Sequence, residues 1–420
     1  MVPHRPCQEK RFHDLYSNAM EGESLSKPKT GGSKKVFIDL APFVTASAFQ
    51  GIGRYLRELL GAFGKLDPAH WKDLEAVGLD TQSWPWKTVK IEELLKENGV
   101  PKVTAPIPAK STWRHRMAGR YLKALGCACY HQPEPHHTPI FAGVPLVLSI
   151  HDIIPIEFPH LYSRKAPRIR LCINLALMKF RTLSASHIIT GSQYVKEQLQ
   201  RRFQVPPAKI SVAYYGVDLN RFHPHTALEE ERRVARDYNI NGPYFLYVGT
   251  ADPRKNLGFL LEAMAASQTE IPLLVAGRIH DLHRPQLQAK LQQLQLGNKV
   301  RFLGYVAEDD LPALYRHSLA LLFPSLSEGF GLPVVEAMAC GTPVVAFANS
   351  SIPEVAGDAA WLVPTNDLPA FVEAMKVLAV NHEKRQELVA KGLERAKVFT
   401  WENTARAVLS VYRRVLGLPQ

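Results

Sequence analysis

The stretch PSLSEGFGLPVVEAMACGTPVVA, residues 324–346, decides the fold of this chain. The apolar runs Leu319–Phe323 and Pro343–Phe347 have the length and composition of buried strands in a parallel sheet. The helix between them is predicted to begin with Pro333 near its first position and to stop at Gly341, which is the usual placement of proline and glycine at helix ends. The sequence therefore predicts a strand, a glycine-containing loop, a helix and a second strand in succession.

The loop and the helix N-terminus together offer a site for an anion. Gly329 and Gly331 flank Phe330 in the loop, and the helix N-terminus presents free backbone N–H groups and a positive dipole end. A carboxylate facing a phosphate would be repelled, so the expected partners of Glu328 and Glu336 are hydroxyl groups. A nucleotide-sugar, with a diphosphate between two hydroxylated rings, satisfies all of these groups. Alternatively, Glu328 is a solvated loop residue and Glu336 complements the helix dipole.

This stretch resembles the donor-binding signature of retaining glycosyltransferases of family 4, which have the GT-B fold. The resemblance implies that Glu328 contacts the donor sugar and Glu336 the ribose hydroxyls. It also implies backbone amides directed at the sugar and the diphosphate, from Gly329, Phe330, Gly331 and Leu332. The implied fold is α/β, with two Rossmann-like doubly wound domains facing a cleft and a C-terminal helix that crosses back to the N-terminal domain.

Length and composition are those of a globular protein with two domains. The chain has 420 residues, 46% of them hydrophobic and 21% charged, which is enough for two separate cores. No apolar run approaches the ~20 residues that span a bilayer. The first twenty residues lack the apolar core of a signal peptide, and the five cysteines form no plausible disulfide framework. We therefore expect a cytoplasmic protein.

The excess positive charge lies in the first half of the chain. Residues 1–216 carry 30 of the 51 Lys and Arg and 17 of the 39 Asp and Glu, a net charge of +13, so the remainder carries −1. A basic half favours contact with an anionic membrane surface or with acidic substrates, although a plain solvated basic surface is the alternative. No zinc-finger spacing or RNA-binding motif is present, so nucleic acid is not the expected partner.

The alternation of strand and helix signals divides the chain into four predicted parts. Residues 1–34 form a flexible tail, and residues 35–223 form an acceptor-binding Rossmann-like domain. Residues 224–400 form a nucleotide-sugar-binding Rossmann-like domain. Residues 401–420 form a helix that packs back on the first domain.

The first predicted domain contributes two candidate sites. Gly51 and Gly53 lie in a predicted loop before a helix, and the resemblance implies that this loop reaches the donor diphosphate. His151 and Asp152 follow the buried run 144–150, at the strand edge where ligands bind in open α/β sheets. The resemblance implies that His151 orients the donor sugar or binds the acceptor. Alternatively, His151 only caps a loop.

The second predicted domain contributes paired cations. Arg254 and Lys255 follow Gly249 at the end of the predicted strand 244–248, where two cations suit a diphosphate. The resemblance implies that both stabilise the departing diphosphate, and a surface ion pair is the alternative. It also implies contacts with the nucleotide base near Arg278, Tyr305 and Val306.

Residues 67–137 resist assignment. KSTWRHRMAGRYLKAL, residues 110–125, predicts an amphipathic helix that lies either on an anionic membrane surface or simply at the protein surface. CACYHQPEPHH, residues 127–137, holds two cysteines and three histidines but lacks the separated ligand pairs of a structural zinc site. Its prolines favour a loop before the next strand.

The prediction is a retaining glycosyltransferase that moves a hexose from a nucleotide-sugar to a glycan or a lipid-linked oligosaccharide in surface polysaccharide synthesis. The phrases GIGRY, HDIIPIEFP and VGTADPRKN resemble bacterial mannosyl- and rhamnosyltransferases, so GDP-mannose is the first donor to consider. No metal or cofactor is expected, because fixed cations and a helix dipole neutralise the leaving diphosphate. The predicted catalytic residues are His151, Arg254, Lys255 and Glu328. The alternatives are a sugar-nucleotide epimerase of the same fold and a non-catalytic scaffold at a membrane surface.

Overall fold

The computed structural model describes residues 33–419 apart from nine gaps, and contacts divide the chain into two compact units. The gaps are 44–50, 81–86, 91–118, 121, 135–142, 160–167, 226–227, 251 and 280–283. The first unit comprises Met1–Ser149, Phe180–Ile189 and Val408–Gln420, and the second comprises Ile150–Lys179 and Thr190–Ala407. The predicted domain boundaries at 34, 223 and 400 stay predictions. Most of the predicted basic helix 110–125 lies outside the described residues.

Seven strands of the described residues form one sheet. In chain order they are β1 Lys34–Asp39, β2 Leu74–Asp80, β3 Lys87–Lys90, β4 Cys127–Gln132, β5 Leu146–Ile150, β6 His187–Thr190 and β7 Ile210–Val212. Their spatial order is β3-β2-β1-β4-β5-β6-β7. β1 pairs in parallel with both β2 and β4, and β4 pairs in parallel with β5. Strand β3 lies at one edge of this sheet and runs antiparallel to its neighbour β2.

The prediction of a loop for residues 127–137 was wrong for residues 127–132, which form β4. This strand lies between β1 and β5, and its cysteines and tyrosine are buried. His131 belongs to the core: its Nδ1 lies 2.6 Å from Tyr412 Oη and its Nε2 2.8 Å from Ser149 Oγ. Within the described part of the chain no group of three or more His, Cys, Asp or Glu side chains could hold a metal ion. His136 and His137 lie outside the described residues.

Six further strands form a second, wholly parallel sheet in the part of the chain that the structure describes. They are β8 Tyr244–Val248, β9 Leu273–Ala276, β10 Val300–Gly304, β11 Ser318–Phe323, β12 Val344–Phe347 and β13 Trp361–Val363. The spatial order is β10-β9-β8-β11-β12-β13, and all neighbours pair in parallel. The chain therefore reverses its direction of travel across the sheet between β8 and β11, which is where ligands bind in open α/β sheets.

Helices connect the strands of both sheets. They are α1 Gly51–Lys65, α2 Ile154–Glu157, α3 Arg168–Ser184, α4 Gln193–Phe203, α5 Leu228–Asp237, α6 Leu257–Ser267, α7 Arg284–Gln293, α8 Leu311–His317, α9 Leu332–Ala339, α10 Ile352–Ala356, α11 Leu368–Val380, α12 His382–Ala396 and α13 Trp401–Val415. None of the helices in the described ranges has both the length and the apolar character needed to cross a membrane. The α/β class predicted from the sequence is confirmed.

The unit β11–loop–α9–β12 forms as the sequence predicts. Strands β11 and β12 are central in the second sheet, and their apolar side chains are buried. Pro333 lies in the first turn of α9, and Gly341 follows the helix with φ +72°. Gly331, which precedes α9, has φ +99°, and a Cβ there would lie 2.7 Å from Ile352 Cδ1. A glycine is therefore required where the loop enters the helix.

The C-terminal helix ends within the first unit. From Val408 onward its residues contact that unit, as Tyr412 does at His131. Arg413 Nη1 donates to Lys72 O at 2.9 Å, and Lys34 Nζ donates to Leu416 O at 2.8 Å. The last residues of the chain thus pack on elements that come near its beginning.

Candidate functional site

Glu328 lies at the centre of a buried cluster of charges in the second unit. Its side chain is in the loop after β11, and only 7% of the residue is exposed. Lys255 Nζ lies 2.6 Å from Oε1, and Arg254 Nη1 lies 2.9 Å from Oε2. Ser325 Oγ also donates to Oε1, at 2.6 Å. The alternative of a solvated loop glutamate is therefore wrong.

The two cations reach Glu328 because a tight turn follows β8. Asp252 caps the short 3₁₀ helix Pro253–Lys255, and its Oδ1 accepts a hydrogen bond from Arg254 N at 3.0 Å. The turn is tied to the glutamate loop through its main chain, since Leu326 N donates to Arg254 O at 2.8 Å. Parallel neighbours β8 and β11 end at the same edge of the sheet, so their following loops meet there.

The electrostatics of the cluster keep Glu328 ionised. Burial alone would raise the pKa of Glu328, but Arg254 and Lys255, together with the hydrogen bonds from Lys255 and Ser325, lower it to about 2. Burial lowers the pKa of Lys255, and Arg254 acts in the same direction, while Glu328 opposes both. One carboxylate and two cations thus share a site largely removed from water, where charges interact strongly.

The loop that carries Glu328 is held by two serines of the segment before α10. Glu328 N donates to Ser350 Oγ at 3.0 Å. Ser351 Oγ lies 3.0 Å from both Glu328 O and Phe330 O, and its single O–H is shared between them. Sequence reasoning missed Ser350 and Ser351, and only their position just after β12 could have suggested them.

His151 and Asp152 lie against the same loop. A Cβ on Gly329 would come within 1.9 Å of His151 O and 3.1 Å of Asp152 Cβ. His151 Nδ1 is hydrogen-bonded to the hydroxyl of Tyr215. Burial raises the pKa of Asp152, Arg254 opposes this effect, and Glu328 adds to it. The structure therefore brings Arg254, Lys255 and Glu328 into direct contact and places the main chain of His151 against the loop that carries Glu328.

Glu336 is also buried, at 2% exposure in α9. Tyr315 Oη, from α8, donates to its Oε2 at 3.0 Å. Thr342 Oγ1 in turn donates to Tyr315 O at 2.6 Å. The second predicted glutamate is therefore held in a fixed orientation by a neighbouring helix.

The ends of β8, β9 and β10 carry the remaining residues predicted in the second domain. A Cβ on Gly277 would lie 2.0 Å from Gly249 O, so these two backbones approach as only glycine permits. The Arg278 guanidinium lies over the Tyr305 ring, 5.0 Å from its centroid. Tyr305 is 63% exposed, whereas Val306 is buried. An exposed aromatic face with a cation over it is available at this edge of the sheet.

The glycines predicted in the first domain are placed differently from the prediction. Helix α1 begins at Gly51, so Gly51 and Gly53 lie in its first turn and not in a loop before it. A Cβ on Gly51 would meet nothing within 4 Å. The predicted reach of this segment to the donor diphosphate stays a prediction.

Two family models match successive parts of the chain. The model described as "Glycosyltransferase Family 4" matches residues 50–221. The model described as "Glycosyl transferases group 1" matches residues 229–395. Together they take in the Gly51 helix, the His151 segment and the whole Glu328 cluster.

Curated relatives carry glycosyltransferase names. The "O-antigen chain mannosyltransferase B" of Escherichia coli is 34% identical over 239 residues, which are 55% of this chain and 61% of that protein. The "D-inositol 3-phosphate glycosyltransferase" of Frankia alni is 30% identical over 289 residues, which are 66% of this chain and 70% of that protein. The match to the Escherichia coli protein thus spans less than two thirds of its length.

A solved structure shows the same fold. The structure of Anabaena Alr3699/HepE in complex with UDP and glucose has a TM-score of 0.69 and 17% identity, and the match covers 91% of this chain and all of that one. The shared fold is the GT-B fold predicted from the sequence. With two family models in sequence, a relative matched over most of its length and this fold, the chain belongs to glycosyltransferase family 4.

Proposed function

We propose that the protein is a retaining glycosyltransferase that moves a hexose from a nucleotide-sugar to a glycan or lipid-linked oligosaccharide. The observation that carries the proposal is the buried cluster of Arg254, Lys255 and Glu328 beside the N-terminal end of α9. Two cations and a helix N-terminus bind a diphosphate, and a buried carboxylate binds sugar hydroxyls. A nucleotide-sugar presents both of these groups.

In this reaction the bond between the anomeric carbon and the diphosphate oxygen breaks, and negative charge builds on the leaving diphosphate. Lys255 and Arg254 face that charge from fixed positions, so they stabilise the transition state more than the ground state. Glu328, ionised with a pKa of about 2, accepts hydrogen bonds from the sugar and does not act as a proton donor. His151 orients the sugar or the acceptor. The chemistry assigned to these residues needs no metal ion.

A front-face route accounts for retention of configuration. Lys255 and Ser325 donate to Oε1 of Glu328 and Arg254 donates to Oε2, which leaves one acceptor position on Oε2 for a sugar hydroxyl and makes the carboxylate poorly suited to attack the anomeric carbon. In the front-face route the leaving phosphate accepts the proton of the acceptor hydroxyl, and the new glycosidic bond forms on the same face. The charges and protons balance without a covalent enzyme intermediate.

We take GDP-mannose as the first donor to test. The name of the Escherichia coli relative supports a mannosyl transfer and an acceptor related to surface polysaccharide. The name of the Frankia alni relative supports an inositol phosphate acceptor instead, and the Anabaena structure contains UDP and glucose. The basic first half of the chain supports a lipid-linked acceptor at the inner face of the plasma membrane.

Binding of free nucleotides tests the proposal directly. The melting temperature of the wild-type protein is measured with GDP, UDP, ADP and dTDP, and the panel is repeated with Lys255→Ala. We expect one nucleotide to raise the melting temperature of the wild type, with a smaller increase in the variant. No increase with any nucleotide at millimolar concentration would overturn the donor site and favour a non-catalytic scaffold.

Product analysis then separates transfer from epimerisation. With the preferred nucleotide-sugar alone, a transferase leaves the donor unchanged apart from slow hydrolysis, whereas an epimerase releases a modified nucleotide-sugar. With a lipid-linked acceptor fraction added, we expect label from the sugar to appear in the acceptor with retained anomeric configuration by NMR.

A further inference from the structure

Glu157 joins two hydroxyl groups next to the site, and the mechanism above does not use it. It is the last residue of α2, six positions after His151. Its Oε2 accepts a hydrogen bond from Ser327 Oγ at 2.9 Å, and its Oε1 accepts one from Tyr194 Oη at 2.6 Å. All of these residues belong to the second unit.

Ser327 carries this contact into the charge cluster. It precedes Glu328 and is buried. While its hydroxyl is held by Glu157, its carbonyl oxygen accepts a hydrogen bond from Arg254 Nη1 at 3.2 Å and lies 3.3 Å from Ser325 Oγ, the hydroxyl that donates to Glu328 Oε1. The orientation of a single peptide therefore affects both Arg254 and the serine that donates to Glu328.

Tyr194, which donates to Oε1 of Glu157, is itself held in place by hydrogen bonds to its main chain. The two carboxylate oxygens of Glu354 accept hydrogen bonds from Gln193 N and Tyr194 N, each at 2.9 Å, at the N-terminus of α4. Burial and the hydrogen bond to Glu157 raise the pKa of Tyr194, so its hydroxyl stays a donor at neutral pH. The backbone and the hydroxyl of this tyrosine are thus held by two different carboxylates.

The serines that hold the Glu328 main chain lie next to Glu354 in the sequence. Glu354 lies in α10, and the two residues before that helix are Ser350 and Ser351, which hold the Glu328 main chain. The loop is therefore held by hydroxyls of Ser350 and Ser351 at one side and by Glu157 at the other. Removing Glu157 frees the Ser327 side only.

We propose that Glu157 is a positioning residue that fixes the Ser327 peptide, and through it Arg254 and Glu328, in the geometry that the transfer requires. The proposal rests on the proposed glycosyltransferase function. A carboxylate suits the role because its two oxygens accept from two hydroxyls at once, and hydrogen bonds to a charged acceptor are short and strong. Displacing a catalytic group by about 1 Å costs roughly 10²-fold in rate.

The first test compares Glu157→Ala with Glu157→Gln. Glutamine offers one acceptor oxygen and one NH2 group, and both hydroxyls can rotate to pair with them, so it preserves the bridge without the charge. We expect kcat to fall by about 10- to 10²-fold in the alanine variant and to recover most of that loss in the glutamine variant. Equal losses in both variants would overturn positioning, because the charge of Glu157 would then act on the reaction itself.

A double-mutant cycle tests the route through Ser327. If Glu157 acts through that hydroxyl, Ser327→Ala lowers kcat by a similar factor, and the double variant is little worse than either single one. If the two single losses in kcat multiply in the double variant, the route through Ser327 is refuted. The cycle also remains informative if Glu157→Ala folds poorly, since Tyr194→Phe removes the opposite support and is expected to lower kcat in the same direction.

A matched control separates positioning from general stability. Tyr238 Oη donates to Asp310 Oδ2 at 2.9 Å, a bond of the same kind as that from Tyr194 to Glu157, in a place to which the mechanism assigns no role. We expect Tyr238→Phe to leave kcat unchanged, with a melting temperature within about 4 °C of the wild type, as for Tyr194→Phe. Equal effects of the two phenylalanine variants on kcat would contradict the proposal.

The outcome also distinguishes this proposal from the function on which it rests. A wild-type protein that neither binds a nucleotide nor transfers sugar removes the proposed function before any variant is made. A wild type that does both, with Glu157→Ala equally active, leaves the function intact and removes only the role of Glu157.

Discussion

Replacing Lys255 with alanine removes one of the two cations that face Glu328 and, in the proposed reaction, the leaving diphosphate. Lys255 is 9% exposed, and its Nζ lies 2.6 Å from Glu328 Oε1. Removal of a fixed electrostatic stabiliser costs about 10²–10³-fold in kcat, which corresponds to roughly 3–4 kcal/mol of transition-state stabilisation. Because alanine carries no charge at this position and Arg254 already contacts the other oxygen of Glu328, we expect an effect in this range.

The cost in stability is smaller than that of an isolated buried charge. Loss of one partner of a buried ion pair costs about 3–5 kcal/mol when the other charge is left alone. Glu328 keeps Arg254 Nη1 at 2.9 Å and Ser325 Oγ at 2.6 Å, so we expect about 1–3 kcal/mol, near the value of a hydrogen bond to a charged group. The variant should therefore fold.

The assay follows transfer of labelled sugar from the preferred donor at saturating and limiting concentrations, with urea unfolding in parallel. Lys299→Ala is the matched control, because Lys299 Nζ pairs at 2.8 Å with Glu270, whose side chain is 89% exposed, and such surface pairs contribute about 0–1 kcal/mol. We expect kcat to fall only in Lys255→Ala. A fall no larger than that of the control, in a folded variant, would refute a role for Lys255 at the leaving group.

Three further predictions concern the same site. The pKa of Glu328 is depressed from 4.5 to about 2, which corresponds to about 3 kcal/mol of stability. This stability is present above pH 4.5 and is lost as the pH falls towards 2. Urea unfolding across this range should show a weaker pH dependence of the unfolding free energy for E328Q than for the wild type. Gly329→Ala should displace the loop and lower kcat by about 10²-fold, because its Cβ would lie 1.9 Å from a carbonyl oxygen, whereas Gly297→Ala meets nothing within 4 Å and should retain activity. Tyr315→Phe removes the hydroxyl that donates to Glu336 and should weaken nucleotide binding by about 1 kcal/mol. Calorimetry should show this as a roughly fivefold higher Kd. An unchanged Kd would argue against a contact between Glu336 and the ribose.

Local sequence patterns determined the central unit of the fold. The apolar runs around residues 324–346, with Pro333 and Gly341 at the helix ends, predicted β11, α9 and β12 within one or two residues, because each signal lies within a single element. The same reasoning placed Arg254 and Lys255 after one strand and Glu328 after another, and parallel strands present their carboxyl ends at one edge of a sheet.

Patterns failed where neighbours in space decide the structure. Segment 127–132 carries cysteines, a tyrosine and a histidine, and prolines follow it, so nothing local distinguished a central strand from a loop. Only its place between β1 and β5 buries these side chains and gives His131 its partners. Burial, and not the propensity of the segment, made it a strand.

The sequence by itself therefore determined the β11–α9–β12 unit and the charged residues that follow its strands, whereas the tertiary structure alone decided what holds those residues in place. Glu157 and Ser327 are 170 residues apart, and Ser350 follows Glu328 by 22. A hydroxyl or a carboxylate has many possible partners along a chain, and its choice depends on distances of about 3 Å that appear only when distant segments pack. The residues of the charge cluster could be predicted from the sequence, but their geometry is a property of the folded chain.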